Sequence, residues 1–336
     1  MPIRLSDYLK KEYGEKVYRL SLSSGCTCPN RDGSIYYDIK SDEYHIVDSK
    51  VVDSYIAESN TKKSNIVDIG TLKSNIAASD IGTPNDCMVR LTGGCTFCSE
   101  GGSGEFAAGN MQADKNLPDI DAQIEFAKKV IQKKTDAKKF IAYFQSYTNT
   151  YGDVKRLSEL YHRTISREEI VALSIGTRPD CIDDNILDML KELNTIKPVW
   201  IELGLQTIHE ETARRINRGY KLKTFEDTYY RLKNAGITVI VHVILGLPGE
   251  SKEDMLETVR FLTGLKPTLD GIKLQNLQVL KGTKMYEELK TLMGTKIYEE
   301  LNTAQDDSAY DIESSGSALN YRSMTMEEYT DLVAEC

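Results

Sequence analysis

No stretch of this 336-residue chain approaches the roughly 20 consecutive apolar residues that a membrane span needs. The opening MPIRLSDYLKKEYGEK also lacks the apolar core of a signal peptide. The expectation is a cytoplasmic protein with no membrane contact. Positive charge is in deficit: the net charge of −9 argues against a surface coated by nucleic acid, although a local basic groove can coexist with an acidic total. An even cysteine count is missing too. Seven cysteines without a secretion signal make a disulfide framework a poor explanation and metal binding a better one. What is present is ordinary globular material, 40% hydrophobic and 28% charged, enough for one large core or two modest ones.

From about residue 119 onward, short β-branched runs alternate with amphipathic helical segments, the mark of a parallel sheet with crossover helices. The expected strands are 139–145, 170–176, 199–205, 238–246 and 271–279, with 17–22 as an earlier first strand. Helical patterns fall at 121–134, 153–165, 183–194, 224–235 and 252–263. Six β/α units fall short of a closed eight-fold barrel, so the fold class is α/β with an open, partial barrel. In such architectures the chemistry sits at the carboxyl ends of the strands.

Residues 34–91 break this order. The segment is polar and self-similar, with Lys63 to Ile66 returning at Lys73 to Ile76, and reads as an insertion that is either disordered or a hairpin excursion. A second duplication, GTKMYEEL at 282–289 and GTKIYEEL at 294–301, is too short for a solenoid.

The strongest chemical signal is Gly93-Gly94-Cys95-Thr96-Phe97-Cys98, with Cys28 upstream in TCPNRDG. Two thiolates separated by two residues can wrap one metal centre, and the flanking glycines let backbone approach it. A closed zinc site is equally open on spacing alone, since Cys26 and Cys28 with Cys95 and Cys98 offer four thiolates. Cys87, Cys181 and Cys336 read as bystanders, and the glycine-rich 102–107 is a weak imitation of a dinucleotide fingerprint because it follows no strand.

Taken together, TCPNRDG, GGCTFCSEGGSGEF, AYFQSYTNTY, SIGTRPDCI, IELGLQT, INRGY, HVILGLPGE and IKLQNLQVLKGT resemble, in one order, the radical SAM family of YhcC type. That family is similar to the Elongator catalytic subunit and to the oxygen-independent coproporphyrinogen oxidases. The resemblance spans residues 1 to about 290 apart from the insertion. It implies a partial (β/α)6 TIM-like radical SAM barrel, with the polar insertion between the first and second cluster cysteines. It also implies a [4Fe–4S] cluster on Cys28, Cys95 and Cys98, with Cys26 a non-ligand. Three thiolates leave one iron open to hold S-adenosyl-L-methionine (SAM) and pass an electron to its sulfonium, giving methionine and a 5′-deoxyadenosyl radical.

Carried over position by position, the resemblance implies SAM contacts from Gln206, from Arg218 to the SAM carboxylate, from His242 to the ribose and from the backbone at Gly246 to the adenine. Thr177, Arg178 and Asp180 either line the site or, for Asp180, cap the next helix. The implied domain plan is a first segment 1–33, the insertion 34–91, the partial barrel 92–301 and a shortened carboxyl-terminal extension 302–336. The chain departs from the family in that insertion, in lacking an HRLTGDGP-like stretch and in carrying Gln278 where His is common.

The relation to the Elongator subunit implies chemistry on the wobble uridine of tRNA, with an electron donor such as flavodoxin or ferredoxin. Lys128, Lys129, Lys133, Lys134, Lys138 and Lys139, and separately Arg214, Arg215, Arg218, Lys221 and Lys223, are the basic clusters available for phosphate, against the plainer reading of solvated faces. Two other classes stay open: a zinc-stabilised binding module and a catalytically inactive radical SAM scaffold.

Overall fold

The structure, a computed structural model, describes residues 3–39, 41–47, 66–68, 88–102, 119–293 and 324–336. Cys87, the glycine-rich stretch after Gly102, the second copy of the GTK repeat and most of the insertion lie outside the described residues.

Strands β1 (Tyr18–Leu22), β6 (Phe140–Phe144), β7 (Ile170–Thr177), β8 (Val199–Gln206), β9 (Thr238–Leu245) and β10 (Gly271–Asn276) form one sheet in the order β1-β6-β7-β8-β9-β10. The pairs β1/β6, β6/β7 and β7/β8 are parallel. Between successive strands come α3 (Ile120–Gln132), α4 (Val154–Ile165), α5 (Asp184–Ile196), α7 (Leu222–Asn234) and α8 (Lys252–Gly264). This is the expected α/β partial barrel. The central strands β6, β7 and β8 were readable because they are buried on both faces and therefore run nearly continuously apolar, as in FIAYF and VWIELGL. Helix starts follow capping chemistry: Asp153 accepts from the Arg156 N–H, Asp183 from the Ile186 N–H, and Ser251 with Asp254 closes a capping box on α8.

The chain divides into two compact units. The first holds residues up to Thr27, Gly101–Gly204 and Asp227–Val241. In it, Leu9 of α1 (Leu5–Tyr13) packs with Val17, Ile141, Ala172 and Trp200. Phe144 meets Tyr161 of α4 edge to face at 5.0 Å. Glu202 is fully buried and is held by Arg19 Nη2 at 2.9 Å and by the Ser174 hydroxyl at 2.5 Å.

The second unit holds Cys28–Glu100, Leu205–Glu226 and His242–Cys336. Its apolar core is Ile216, Ile244, Leu247, Leu277 and, from α9 (Lys284–Met293), Met285, Tyr286 and Leu289. The described part of the 34–91 segment is strand rather than loose chain. β2 (Ile35–Asp38) pairs antiparallel with β3 (Glu43–Ile46) on one side and β5 (Met88–Leu91) on the other, and β4 (Ile66–Asp68) runs parallel to β5. Ile35, Tyr36, Val89 and Leu91 are buried, and Arg90 Nε donates to the Gly33 carbonyl at 2.7 Å. Among the described residues, no helix is long and apolar enough to cross a membrane.

Candidate functional site

The second unit collects the cysteines. Cys28 precedes the short helix α2 (Pro29–Asp32), with Pro29 at the first helical position where its missing N–H costs nothing. Cys95 and Cys98 lie on the loop after β5, entered through Gly93 and Gly94 with φ of 75° and 76°, a left-handed backbone that a side chain would strain. All three cysteines are half-buried and free of disulfides.

Hydrogen bonds tie the two segments together. The Gly93 and Gly94 amides donate to the Arg31 and Asn30 carbonyls at 3.3 and 3.0 Å. Arg31 reaches past the second cysteine, donating from Nη2 to the Ser99 carbonyl at 2.6 Å and from Nη1 to that of Glu100 at 3.0 Å. The Asn30 carboxamide stands between two thiols: Cys28 Sγ donates to its Oδ1 at 2.9 Å, and its Nδ2 donates to Cys95 Sγ at 3.5 Å.

A third segment joins them, the INRGY loop after α6 (Glu210–Arg215). Asn30 Nδ2 also donates to the Asn217 carbonyl at 2.9 Å, Asn217 Nδ2 donates to the Gly94 carbonyl at 2.7 Å, and the Thr96 amide donates to the Ile216 carbonyl at 3.0 Å. Asn30, Asn217 and Arg31 were missed as site residues in the sequence. They sat inside the quoted motifs, and an asparagine two positions after a cysteine was the available signal.

The same loop reaches the end of β8. Arg218 is 1% exposed, and its Nη1 donates to the carbonyls of Leu205 at 3.1 Å and Thr207 at 2.6 Å, its Nε to that of Tyr220 at 3.1 Å. The fork expected to meet a SAM carboxylate therefore grips the strand end, with Glu210 3.6 Å from Nη2. Between those two carbonyls sits Gln206, whose φ of 70° is left-handed for a non-glycine residue. Its Oε1 is buried and has no hydrogen-bond partner among the described residues. A buried acceptor left unmatched costs about 1–3 kcal/mol and calls for an explanation. Gly246 ends β9 with φ 85°, its amide facing Met255 Sδ at 3.0 Å, and His242 is half-buried in that strand.

Other expected groups are engaged in the structure. Cys26 is buried in the first unit and accepts from Arg156 Nη2 at 3.2 Å. Arg178 pairs with Asp180 at 2.7 Å, and α5 is capped by Asp183 rather than by Asp180. Of the basic residues, Lys128 pairs with Glu125 and Glu169, Lys139 with Glu15, Arg215 with Glu211 and Lys221 with Asp42. Hydrogen bonds from Lys221 and Tyr37 hold the Asp42 carboxyl below its ordinary range, while burial and Asp42 push the Tyr37 phenol up to about 12.

His209, Asp254 and Glu257 are the one group of three such donors within 4.8 Å of one another among the described residues. Asp254 there is already committed to the Ser251 cap, and His209 Nε2 lies 2.9 Å from the Asp254 carbonyl. Among the described residues, no three cysteine sulfurs lie within 4.8 Å of one another.

Comparison with known proteins gives the family. YtqA of Bacillus subtilis is 32% identical over 284 residues, covering 84% of this chain and 69% of its own. YhcC of Escherichia coli is 31% identical over 278 residues, 82% and 68% of the two chains. Elongator complex protein 3 of Schizosaccharomyces pombe is 32% identical over 124 residues, 36% of this chain but only 22% of its own length. The family model of the radical SAM superfamily matches residues 86–262, a stretch holding two of the three expected ligands and every expected SAM contact, and the chain belongs to that superfamily.

Proposed function

We propose that Cys28, Cys95 and Cys98 hold a [4Fe–4S] cluster and that the protein uses it to cleave SAM reductively. The observation that carries this reading is the gathering of three disulfide-free cysteines on two loops stitched to each other and to the end of β8. When bound, the cluster supplies the electron that splits SAM into methionine and a 5′-deoxyadenosyl radical.

The chain's own residues then have distinct tasks. Gln206 offers its unmatched Oε1 to a donor on SAM, and Gly246, just past β9, and His242, within it, supply the further SAM contacts. Arg218 acts through the strand end it clamps, keeping Gln206 in its left-handed conformation. Cys26 stays outside the ligand set because Arg156 already holds it. Metal analysis of anaerobically reconstituted variants tests the set: Cys28→Ala, Cys95→Ala or Cys98→Ala loses the cluster, and Cys26→Ala keeps it. Equal loss in Cys26→Ala favours a four-thiolate site instead.

For substrate, the similarity to Elongator complex protein 3 is the ground for tRNA, with the wobble uridine as target; a flavodoxin or ferredoxin as electron source and the cytoplasm as location are further parts of the proposal. The ion pairs on Lys128, Lys139 and Lys221 lend that reading no help, so it rests on the similarity. Transfer of a hydrogen or carbon group between SAM and tRNA anticodon stem-loops, followed by nucleoside mass spectrometry, is the test. Unmodified uridine at full SAM turnover excludes it.

A further inference from the structure

Asn30 is fully buried, and each polar end of its side chain is aimed at a different cysteine. A buried asparagine needs only to have its donors and acceptor matched, and backbone groups usually do that. Here Nδ2 uses one proton on the Asn217 carbonyl at 2.9 Å and directs the other at Cys95 Sγ at 3.5 Å, while Oδ1 takes the Cys28 thiol proton at 2.9 Å. The Asn30 carbonyl receives the Gly94 amide at 3.0 Å, so the residue also fixes the approach to Cys95. One residue thus sets the positions of two sulfurs that are far apart in sequence and joins them to the INRGY loop.

We infer that Asn30 is a positioning residue of the cluster site, holding Cys28 and Cys95 in place for the cluster and raising the reduction potential of the bound cluster through its N–H to a ligand sulfur. The inference rests on the cluster reading above. Loading converts the thiols to thiolates and releases their protons, so the S–H donation to Oδ1 ends while the Nδ2–H toward Cys95 persists. A hydrogen bond to a ligand sulfur stabilises the more negative, reduced cluster, and such bonds are among the levers that set iron–sulfur potentials.

The test uses the full chain, reconstituted anaerobically with iron and sulfide. Asn30→Asp keeps the size and the acceptor but removes both N–H donors and adds negative charge, and Asn30→Ala removes both ends. Iron and sulfide per chain, melting temperature and the midpoint from an EPR-monitored redox titration are read together. The expected result for Asn30→Asp is a potential lowered so that the reduced-to-oxidised ratio at fixed potential falls at least tenfold, about 59 mV for a one-electron couple.

A variant that melts like wild type but takes up less iron and sulfide supports the holding role. Full cluster content at an unchanged potential overturns the inference. Should both variants misfold, pulsed EPR of the reduced wild-type cluster with 15N-asparagine decides: a 15N coupling is expected, and its absence overturns the assignment. A wild type that takes up no iron or sulfide sinks the cluster reading itself, and is told apart because it fails before any variant is compared.

Discussion

Gln206 and Arg218 are neighbours in the structure with opposite energetic signatures. Gln206 pays, in stability, for a left-handed φ and an unmatched buried oxygen; Arg218 satisfies carbonyls that would otherwise be orphaned. Gln206→Ala is therefore expected to leave the melting temperature unchanged or raise it, by up to about 1 kcal/mol of stability, while weakening SAM binding roughly tenfold. Arg218→Ala is expected to lower stability by about 2–4 kcal/mol and SAM affinity along with it, since three carbonyls, of Leu205, Thr207 and Tyr220, lose their donor. Thermal melts paired with SAM titration of the reconstituted proteins check both. A destabilised Gln206→Ala with normal affinity would make that residue a structural one. Gln206 and Arg218 were visible as motif letters, but which of them faces outward from the strand end was not: that depends on a φ value and on donors spent over twelve residues of chain.

At the scale of elements, strand and helix positions from 119 onward were legible because each element carries its period, and three of the helices a side-chain cap as well. The 34–91 sheet was not. Its strands are three or four residues long, mix Tyr with Asp and Glu, and two of them, β2 and β5, pair across more than about fifty residues of chain, Ile35 with Leu91 among them. The pairing predicts unequal deletions. Removing 34–91 exposes the face that Ile35, Tyr36, Val89 and Leu91 bury and should abolish the fold. Replacing 48–87 by a Gly/Ser linker of roughly a dozen residues, enough to cross β2 from β3 to β5, removes only the edge strand β4 from the sheet and should keep cluster content, because closure cost changes slowly with length. Circular dichroism and iron content read the outcome; equal loss from both deletions contradicts it.

The loop before β7 gives a pH test at the same scale. Burial alone would raise the Glu169 carboxyl, but hydrogen bonds from Lys128 and Arg167 outweigh it and bring it to about 2. A depressed carboxyl stabilises the fold above its unfolded value near 4.5 and loses that contribution as pH falls toward 2. Glu169→Gln should cost on the order of 1 kcal/mol at pH 7, after allowance for solvent screening, and flatten the acid limb between those values. Denaturant melts from pH 7 to 2.5 compare the two proteins, and parallel curves would show the pairs to be idle.

For the whole molecule, the central claim is that a family-typical barrel carries a working cluster in spite of the segment between its first and second expected ligands. Sequence motifs located the cysteines, yet the hydrogen bonds by which Asn30 reaches both Cys28 and Cys95 are a product of the fold. The most direct measurement is 5′-deoxyadenosine formed by the anaerobically reconstituted protein after addition of SAM and dithionite. The account predicts 5′-deoxyadenosine and methionine in equal amounts from the wild type and from Cys26→Ala, and none from Cys95→Ala. A protein that holds a full cluster and still forms no 5′-deoxyadenosine, or one that forms it equally well without Cys95, would contradict the account.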